Sequence, residues 1–403
     1  MAIIVRTLHE REIPDLFVLD GRNFATTYTA DDIDHAKLTM EPERFRVALD
    51  GRALIGATGS YTLQMTMPGG ASLPTAGVTW VSVAPTHRRQ GVLTRLMTAS
   101  MIEATEHGDP LCALTASEGG IYGRFGYGAA TQTRVLRIDH RRAELRAGTA
   151  ERGTVRAVGA TELALIAPEI YERYRVQNPG EVTRHDDWWR RMFDDWSKPI
   201  GAASIAFHLA HRDGYACYRI EQHWDLGHPG HALTLVELVA ATSAAHAALW
   251  QVVLGVDLVG RVESRNVPID DPLPLLLTNP RAARTVELND GLWLRVLDVA
   301  AVLSARRYGT DDELVMEVVD DARPVTAGRF HIAGAPDGAS CRRDRRRPDL
   351  IVPIDALGSI VLGGVRPSWL ARAGRLEARD SATARRADAF FLADRAPHAQ
   401  TMF

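Results

Sequence analysis

Over residues 1–145, apolar positions alternate between short period-two runs and stretches of helical period, and that rhythm predicts an α/β domain. Strands are expected at 3–7, 45–49, 54–66, 78–83 and 111–115, and a helix at 11–20 with Pro14 in its first turn. Asp50-Gly51 joins two of the strands as a hairpin turn, and Pro68-Gly69-Gly70 marks the next loop. Gly91 opens a helix in which Leu93, Met97, Ser100 and Met101 share one face. A glycine-rich run, SEGGIYGRFGYG, follows the strand at 111–115.

Around 140–155 the chain turns polar and charged, which reads as a boundary. A second series of strands and helices then begins. It has a strand at 155–158, a helix at 163–178, strands at 214–221 and 233–241, and a helix at 244–254. A third block starts near Val299, with a helix at 300–306, the strand-like LVMEVVD, a basic loop SCRRDRRRP and a final helical stretch at 367–391. Three domains are therefore expected, at 1–148, 149–298 and 299–403. The strand-then-helix layout from Gly77 repeats from Leu233, without the Arg-Arg-x-Gly turn between its elements. Two readings fit: a duplicated fold whose second copy lost a ligand loop, or two ordinary βα units.

The chain has 403 residues, with 47 Lys and Arg against 50 Asp and Glu, a formal charge of −3. That balance supplies no global field for nucleic acid or an acidic membrane surface. Cys112, Cys217 and Cys341 are too few and too scattered for a disulfide framework or a Cys-based zinc site, and they suit a reducing cytoplasm. No apolar run is long enough for a membrane span, and no leader pattern opens the chain.

The segment VSVAPTHRRQGVLTRLM (81–97) carries the most specific chemistry. A strand ends at Pro85, two arginines follow, and a helix begins after Gly91. A helix N-terminus presents unpaired N–H groups and the positive end of its dipole, and Gly91 lets the backbone approach a ligand closely. Arg88 and Arg89 add forked donors, so a pyrophosphate suits the site.

This pattern resembles the acetyl-CoA loop of the GCN5-related N-acetyltransferases (GNAT). The wider chain resembles the Eis (enhanced intracellular survival) family of that group. SEGGIYGRFGYG, GYACYRIE, DPLPLLLTNPRAAR, NDGLWLRVLDV and ALGSIVLGGV…LARAGRL carry that likeness along nearly the whole length. It implies an α/β (α+β) chain with a catalytic GNAT domain, a degenerate GNAT-like domain and a C-terminal domain like sterol carrier proteins. It also implies assembly as a homohexamer and acetyl-CoA as co-substrate, without a metal. The cofactor residues it implies are Val81, Val83, Arg88, Arg89, Gly91, Val92, Ser117 and Gly119. Val81 and Val83 would hydrogen-bond the pantetheine as an added strand does.

Acetyl transfer to an amine needs a base, an oxyanion donor and an acid for the leaving thiolate. The N–H of Val81 is the candidate donor. Tyr122 and Tyr127 both follow the strand at 111–115, and the resemblance assigns the acid to Tyr122. It assigns the base to the C-terminal carboxylate, here on Phe403. Aminoglycoside-acetylating members carry acids where this chain has Thr26 and Met402, leaving Asp31, Asp32 and Asp34 as replacements or a less cationic acceptor. Phe24 marks the same wall, and Trp80 reads either as an aromatic pocket wall or as an anchor in the sheet. The expected acceptor is a primary amine on a small polyamine-like molecule such as an aminoglycoside. Protein lysine, or an inactive lipid-binding module, are the competing readings.

Three other signals are set aside. Arg342, Arg343, Arg345, Arg346 and Arg347 read as a solvated loop. His223, His228 and His231 fall in a Gly/Pro turn that does not suit a metal. Cys112 reads as a small buried strand residue.

Overall fold

Gly51 sits at φ 60°, the left-handed conformation its hairpin needs, and closes β2 (Arg46–Asp50) onto β3 (Ala53–Thr66). This computed structural model describes residues 3–151 and 153–403. Before the hairpin come β1 (Ile4–Thr7), α1 (Ile13–Phe24) and α2 (Ala30–Lys37). After it come β4 (Ser72–Val83), α3 (Val92–His107), β5 (Leu111–Thr115) and β6 (Gly128–Ala129).

The middle of the chain holds β7 (Gln132–Asp139), β8 (Arg156–Val158), α4 (Ala160–Arg175), α5 (Asp186–Ser197), β9 (Phe207–His211) and β10 (Gly214–Glu221). The small hairpin β11 (Trp224–Asp225) and β12 (His228–Pro229) follows, then β13 (His231–Ala240), α6 (Ser243–Val253), β14 (Val259–Pro268), α7 (Leu273–Leu276) and β15 (Ala283–Asp290). The last part is β16 (Leu292–Val296), α8 (Val299–Ser304), β17 (Asp312–Val319), β18 (Gly328–Ala335), β19 (Gly338–Arg343), β20 (Leu350–Pro353), α9 (Ile354–Ile360), α10 (Pro367–Arg372), β21 (Glu377–Ala378) and α11 (Ser381–Phe391).

The chain forms two compact units. One comprises Met1–Thr131, Gly291–Asp394 and Thr401–Phe403; the other comprises Gln132–Asp290 and Arg395–Gln400. The first contains a seven-stranded sheet, β1-β2-β3-β4-β5-β16-β6, and a five-stranded sheet, β19-β18-β17-β20-β21. The second contains a seven-stranded sheet, β15-β7-β14-β13-β10-β9-β8.

Sheet membership departs from divisions after residues 148 and 298. β7 pairs antiparallel with β14 in the second sheet, and β16 pairs antiparallel with β5 in the first. Neither pairing has a local sequence signal, because each partner lies more than a hundred residues away. Helix α9 packs on β6 and β16 of the first sheet without room for side chains at two glycines. A Cβ on Gly128 would lie 1.8 Å from the Asp355 carbonyl oxygen, and one on Gly358 would lie 2.1 Å from that of Leu294. The fully buried Arg295 on β16 pairs at 2.5 Å with Asp320 just after β17.

Several boundaries move. The first helix starts at Ile13 behind a 3₁₀ turn, so Pro14 still falls where its missing N–H costs little. β4 begins at Ser72, six residues before the expected strand, because it pairs back along β3. Ser340–Arg343 are not loop but the end of β19, an edge strand, where charged side chains are the normal defence against stray pairing. The stretch 367–391 is two helices, since Gly374 at φ 69° ends α10 and β21 intervenes. EQHWDLGHPGH is a turn, as expected, with Leu226 and Gly227 at positive φ between β11 and β12. No helix among the described residues is long and apolar enough to cross a membrane.

Candidate active site

β4 and β5 run parallel and pair only from Thr75–Gly77 against Leu111–Ala113. Beyond those residues they separate, while β16 holds the far side of β5 through Thr115. On its other side β4 carries a bulge. Ala57 faces Ser82 and Gly59 faces Thr79, so Trp80 and Val81 together oppose Thr58. Trp80 sits at φ 55°, rare for a bulky residue and held here by its surroundings. Its ring packs on Phe17 at a centroid distance of 4.8 Å, and its Nε1 donates to the Tyr61 hydroxyl at 3.1 Å. Trp80 is thus a half-buried anchor in the sheet.

An acidic residue missing from the sequence reading sits beneath the bulge. Asp20 is buried, accepts from the Tyr28 hydroxyl at 2.7 Å and the Ser82 hydroxyl at 2.9 Å, and is pushed up by burial. Its spacing was the available signal: Ile13, Leu16, Phe17 and Asp20 form one helical face, and a carboxylate there needs a reason.

After Val83 the chain passes through the 3₁₀ turn Pro85–His87 to Arg88 and Arg89, both exposed. Arg89 (φ 62°) and Gly91 (φ 78°) are left-handed, and a Cβ built on Gly91 meets nothing within 4 Å. No side chain caps α3, so its first-turn N–H groups are offered to open space. Val92 is buried as the first residue of the helix. Arg88 reaches Asn23 on α1 at 3.3 Å, so the end of α1, with Phe24 half exposed and Thr26 exposed, borders this loop.

Tyr122 is buried in the cluster with Ala76, Val78, Met97 and Leu114, with Val81 at its margin. Burial raises its phenol, and a hydrogen bond with Ser117 opposes the shift. Ser117 and Gly119 are exposed in the turn before it. Tyr127 is a core residue: fully buried beside Cys112, whose thiol burial pushes up to about 12.

The chain end lies where β4 and β5 part. The Thr115 hydroxyl donates to a terminal carboxylate oxygen of Phe403 at 2.9 Å. A Cβ on Gly77 would lie 3.2 Å from the Phe403 ring, so glycine there leaves space for it. Met402 is exposed. Of the three aspartates, Asp32 completes the capping box of α2 with Thr29, and Asp34 pairs with Lys37 at 2.8 Å. Asp31 has no ion-pair partner among the described residues.

The second unit repeats this layout with the ligand features removed. Only Ala241 and Thr242 link β13 to α6, and the Thr242 side chain caps α6 by accepting from the Ala245 N–H. A helix end capped by its own chain has a weaker claim on an anion.

Models of the acetyltransferase (GNAT) domain match residues 4–130 and 180–327, and a model of the sterol carrier protein domain matches 299–400. With the parted strands and the open start of α3, these matches define an N-acetyltransferase of the GNAT class, a fold that uses acetyl-CoA. Alignment over the whole length narrows the class. N-acetyltransferase Eis of Mycobacterium tuberculosis is 37% identical, with 98% of each chain covered. An uncharacterized N-acetyltransferase of Streptomyces griseus is 33% identical, with both chains fully covered. The crystal structure of Eis1 from Mycobacterium abscessus superimposes with a TM-score of 0.88 at 35% identity, covering 99% of this chain and 100% of that one. The chain belongs to the Eis family of N-acetyltransferases.

Proposed function

We propose that the chain acetylates primary amines of small molecules between β4 and β5, with Tyr122 as general acid and the Phe403 carboxylate as base. The observation that carries this reading is the seating of the chain end on Thr115, where the strands part. A terminal carboxylate usually frays into solvent, and a held one needs a reason.

In this reading the α3 N–H groups at Gly91 and Val92, with Arg88 and Arg89, hold the pyrophosphate of acetyl-CoA. Val81, Val83, Ser117 and Gly119 line its pantetheine arm. The Phe403 carboxylate takes a proton from the ammonium by way of water, freeing the nitrogen to attack the thioester carbon. The Val81 N–H, displaced from regular pairing by the bulge, donates to the oxyanion. As the C–S bond breaks, the Tyr122 hydroxyl gives its proton to the thiolate, and the second proton shed by the acylated nitrogen passes through water to restore the Tyr122 hydroxyl. The products are the amide and free CoA. Trp80 and Phe24 would form the acceptor wall. The homohexamer, the cytoplasmic location and the division into domains at 1–148, 149–298 and 299–403 are carried from the sequence reading.

Thiol release from acetyl-CoA across aminoglycosides, diamines, simple amines and lysine peptides tests the reaction. Release with small amines is expected, and silence with every acceptor would sink the proposal. Replacing Arg88 and Arg89 together by Glu should weaken acetyl-CoA about tenfold or more, since two anions would then face the pyrophosphate. Calorimetry showing unchanged affinity would remove the loop from the site.

The neutral Thr26 and Met402 favour a less cationic acceptor than acid-lined relatives take. Thr26→Asp with Met402→Glu should lower the KM for aminoglycosides several-fold, as new counter-charges at exposed sites contribute about 1 kcal/mol each at most. If the unaltered chain already has a low KM that these changes leave alone, Asp31 or another acid defines the pocket.

A further inference from the structure

In the second unit, β13 and β14 are also parallel and also part. They pair from His231–Leu235 against Val259–Ser264, and then β13 continues to Ala240 and β14 to Pro268 without each other. In the first sheet the corresponding gap opens beside an uncapped helix. Here the helix is self-capped, and the chain's own tail borders the gap, with Gln400 reaching the Leu238 carbonyl on β13 and Asn266 on β14 holding the Ala399 carbonyl.

Six tail residues, Arg395–Gln400, belong to this unit, and they are held at nearly every step. Arg395 donates to the Asn178 side-chain oxygen at 3.0 Å, and the Ala396 N–H to Asp270 at 2.8 Å. The His398 N–H donates to the Pro179 carbonyl at 2.9 Å, and its Nε2 to the Asn266 side-chain oxygen at 2.9 Å. Asn266 in turn donates its Nδ2 to the Ala399 carbonyl at 3.0 Å. The Gln400 N–H donates to Glu181 at 2.7 Å, and Glu181 also accepts from the Tyr171 hydroxyl at 2.9 Å. His398 is 2% exposed and Glu181 is fully buried. Burial drops the His398 imidazole to about 4, which keeps it neutral and able to donate through Nε2.

Such a set of bonds is more than a passing tail requires. Two polar side chains on different elements, the buried Glu181 after α4 and the half-buried Asn266 on β14, are committed to residues 398–400. Only Thr401 and Met402 separate Gln400 from Phe403. Three extended residues reach about 10 Å, so fixing Gln400 restricts where the terminal carboxylate ends.

We propose that the parted strands β13 and β14 are a socket for the tail, with Glu181 and Asn266 as positioning residues for the Phe403 carboxylate. The inference rests on the reading of that carboxylate as base, and it gives the second acetyltransferase fold a task unrelated to binding cofactor. A misplacement of about 1 Å at a reacting group costs up to about 10²-fold, which sets the scale.

The test combines steady-state kinetics with mass-spectrometric hydrogen exchange of the C-terminal peptide in the full-length enzyme. Asn266→Ala removes the partner of both His398 and Ala399. Tail exchange should speed up and kcat should fall about 10- to 10²-fold, with the KM for acetyl-CoA kept within about twofold. Gln400→Pro removes the N–H that reaches Glu181 without altering the sheet, and it serves if Asn266→Ala does not fold; the same split is expected. Unchanged exchange, or faster exchange at full kcat, overturns the socket. A chain extended by one residue past Phe403 is assayed in parallel. Full activity there overturns the base reading, whereas an inactive extension beside fully active Asn266→Ala and Gln400→Pro overturns the socket alone.

Discussion

One glycine added after Phe403 abolishes turnover at neutral pH and leaves acetyl-CoA binding intact. That is the expected result if the terminal carboxylate is the base, because the extension converts it into a neutral amide. An ordinary α-carboxyl ionises near pH ~3.5, so it is available as an anion throughout the neutral range; an amide has no such form. Thr115 would still find a carbonyl oxygen to donate to, so the tail keeps its seat while losing its charge. Deleting Phe403 fails differently. The new carboxylate on Met402 falls short by one residue, about 3.5 Å, and the space beside Gly77 is left without its ring. Both chains should unfold at the temperature of the parent, since the last residue adds little to the core. Calorimetric CoA titration beside a thiol-release assay separates the two effects. Full turnover by the extended enzyme would move the base to water alone or to an internal carboxylate, for which buried Asp20 is the first to test.

Tyr122→Phe should lower kcat by about 10²-fold or more, with little change in the KM for acetyl-CoA. The lost hydroxyl acts only as the C–S bond breaks, so ground-state binding does not report it. Burial raises the phenol above its ordinary value near ~10, which keeps the proton in place across neutral pH for delivery to a thiolate. A hydrogen bond with Ser117, in the exposed turn, opposes that shift. Tyr127→Phe is the comparison. Its ring lies 6.1 Å from that of Tyr122, yet it is sealed in the core against Cys112, so its loss should change stability more than rate. The reverse pattern would assign the acid to the wrong ring.

What the sequence made legible was local. Val83 to Val92 could be read as strand, turn and helix start because proline, paired arginines and glycine each restrict the backbone in a known way. Leu111–Thr115 was read to the residue, being a short apolar run bounded by turn signals. Three kinds of feature were not legible. The basic run at 340–347 has the composition of a loop, and only pairing with β18 makes its first part a strand. The bulge at Trp80 depends on a register fixed by β3, and nothing in Val78–Val83 announces a left-handed tryptophan. Glu181 and Asn266 meet the tail only after more than a hundred residues of fold have been placed, so neither could be tied to Phe403 by spacing. The family resemblance supplied the role of the chain end, which no periodicity could.

The exchange of β7 and β16 has a consequence for how the protein comes off the ribosome. The first sheet needs β16 between β5 and β6, and β16 is made only after the whole of residues 132–290. At about 5–20 residues per second, the nascent first domain waits on the order of 10–30 s with the edge of β5 open. The second sheet draws all its strands from residues 132–290, so its last strand, β15, leaves the ribosome just ahead of β16. Synthesis therefore delivers every strand of the second sheet before the first sheet can be completed, and the last three residues are the final piece to arrive.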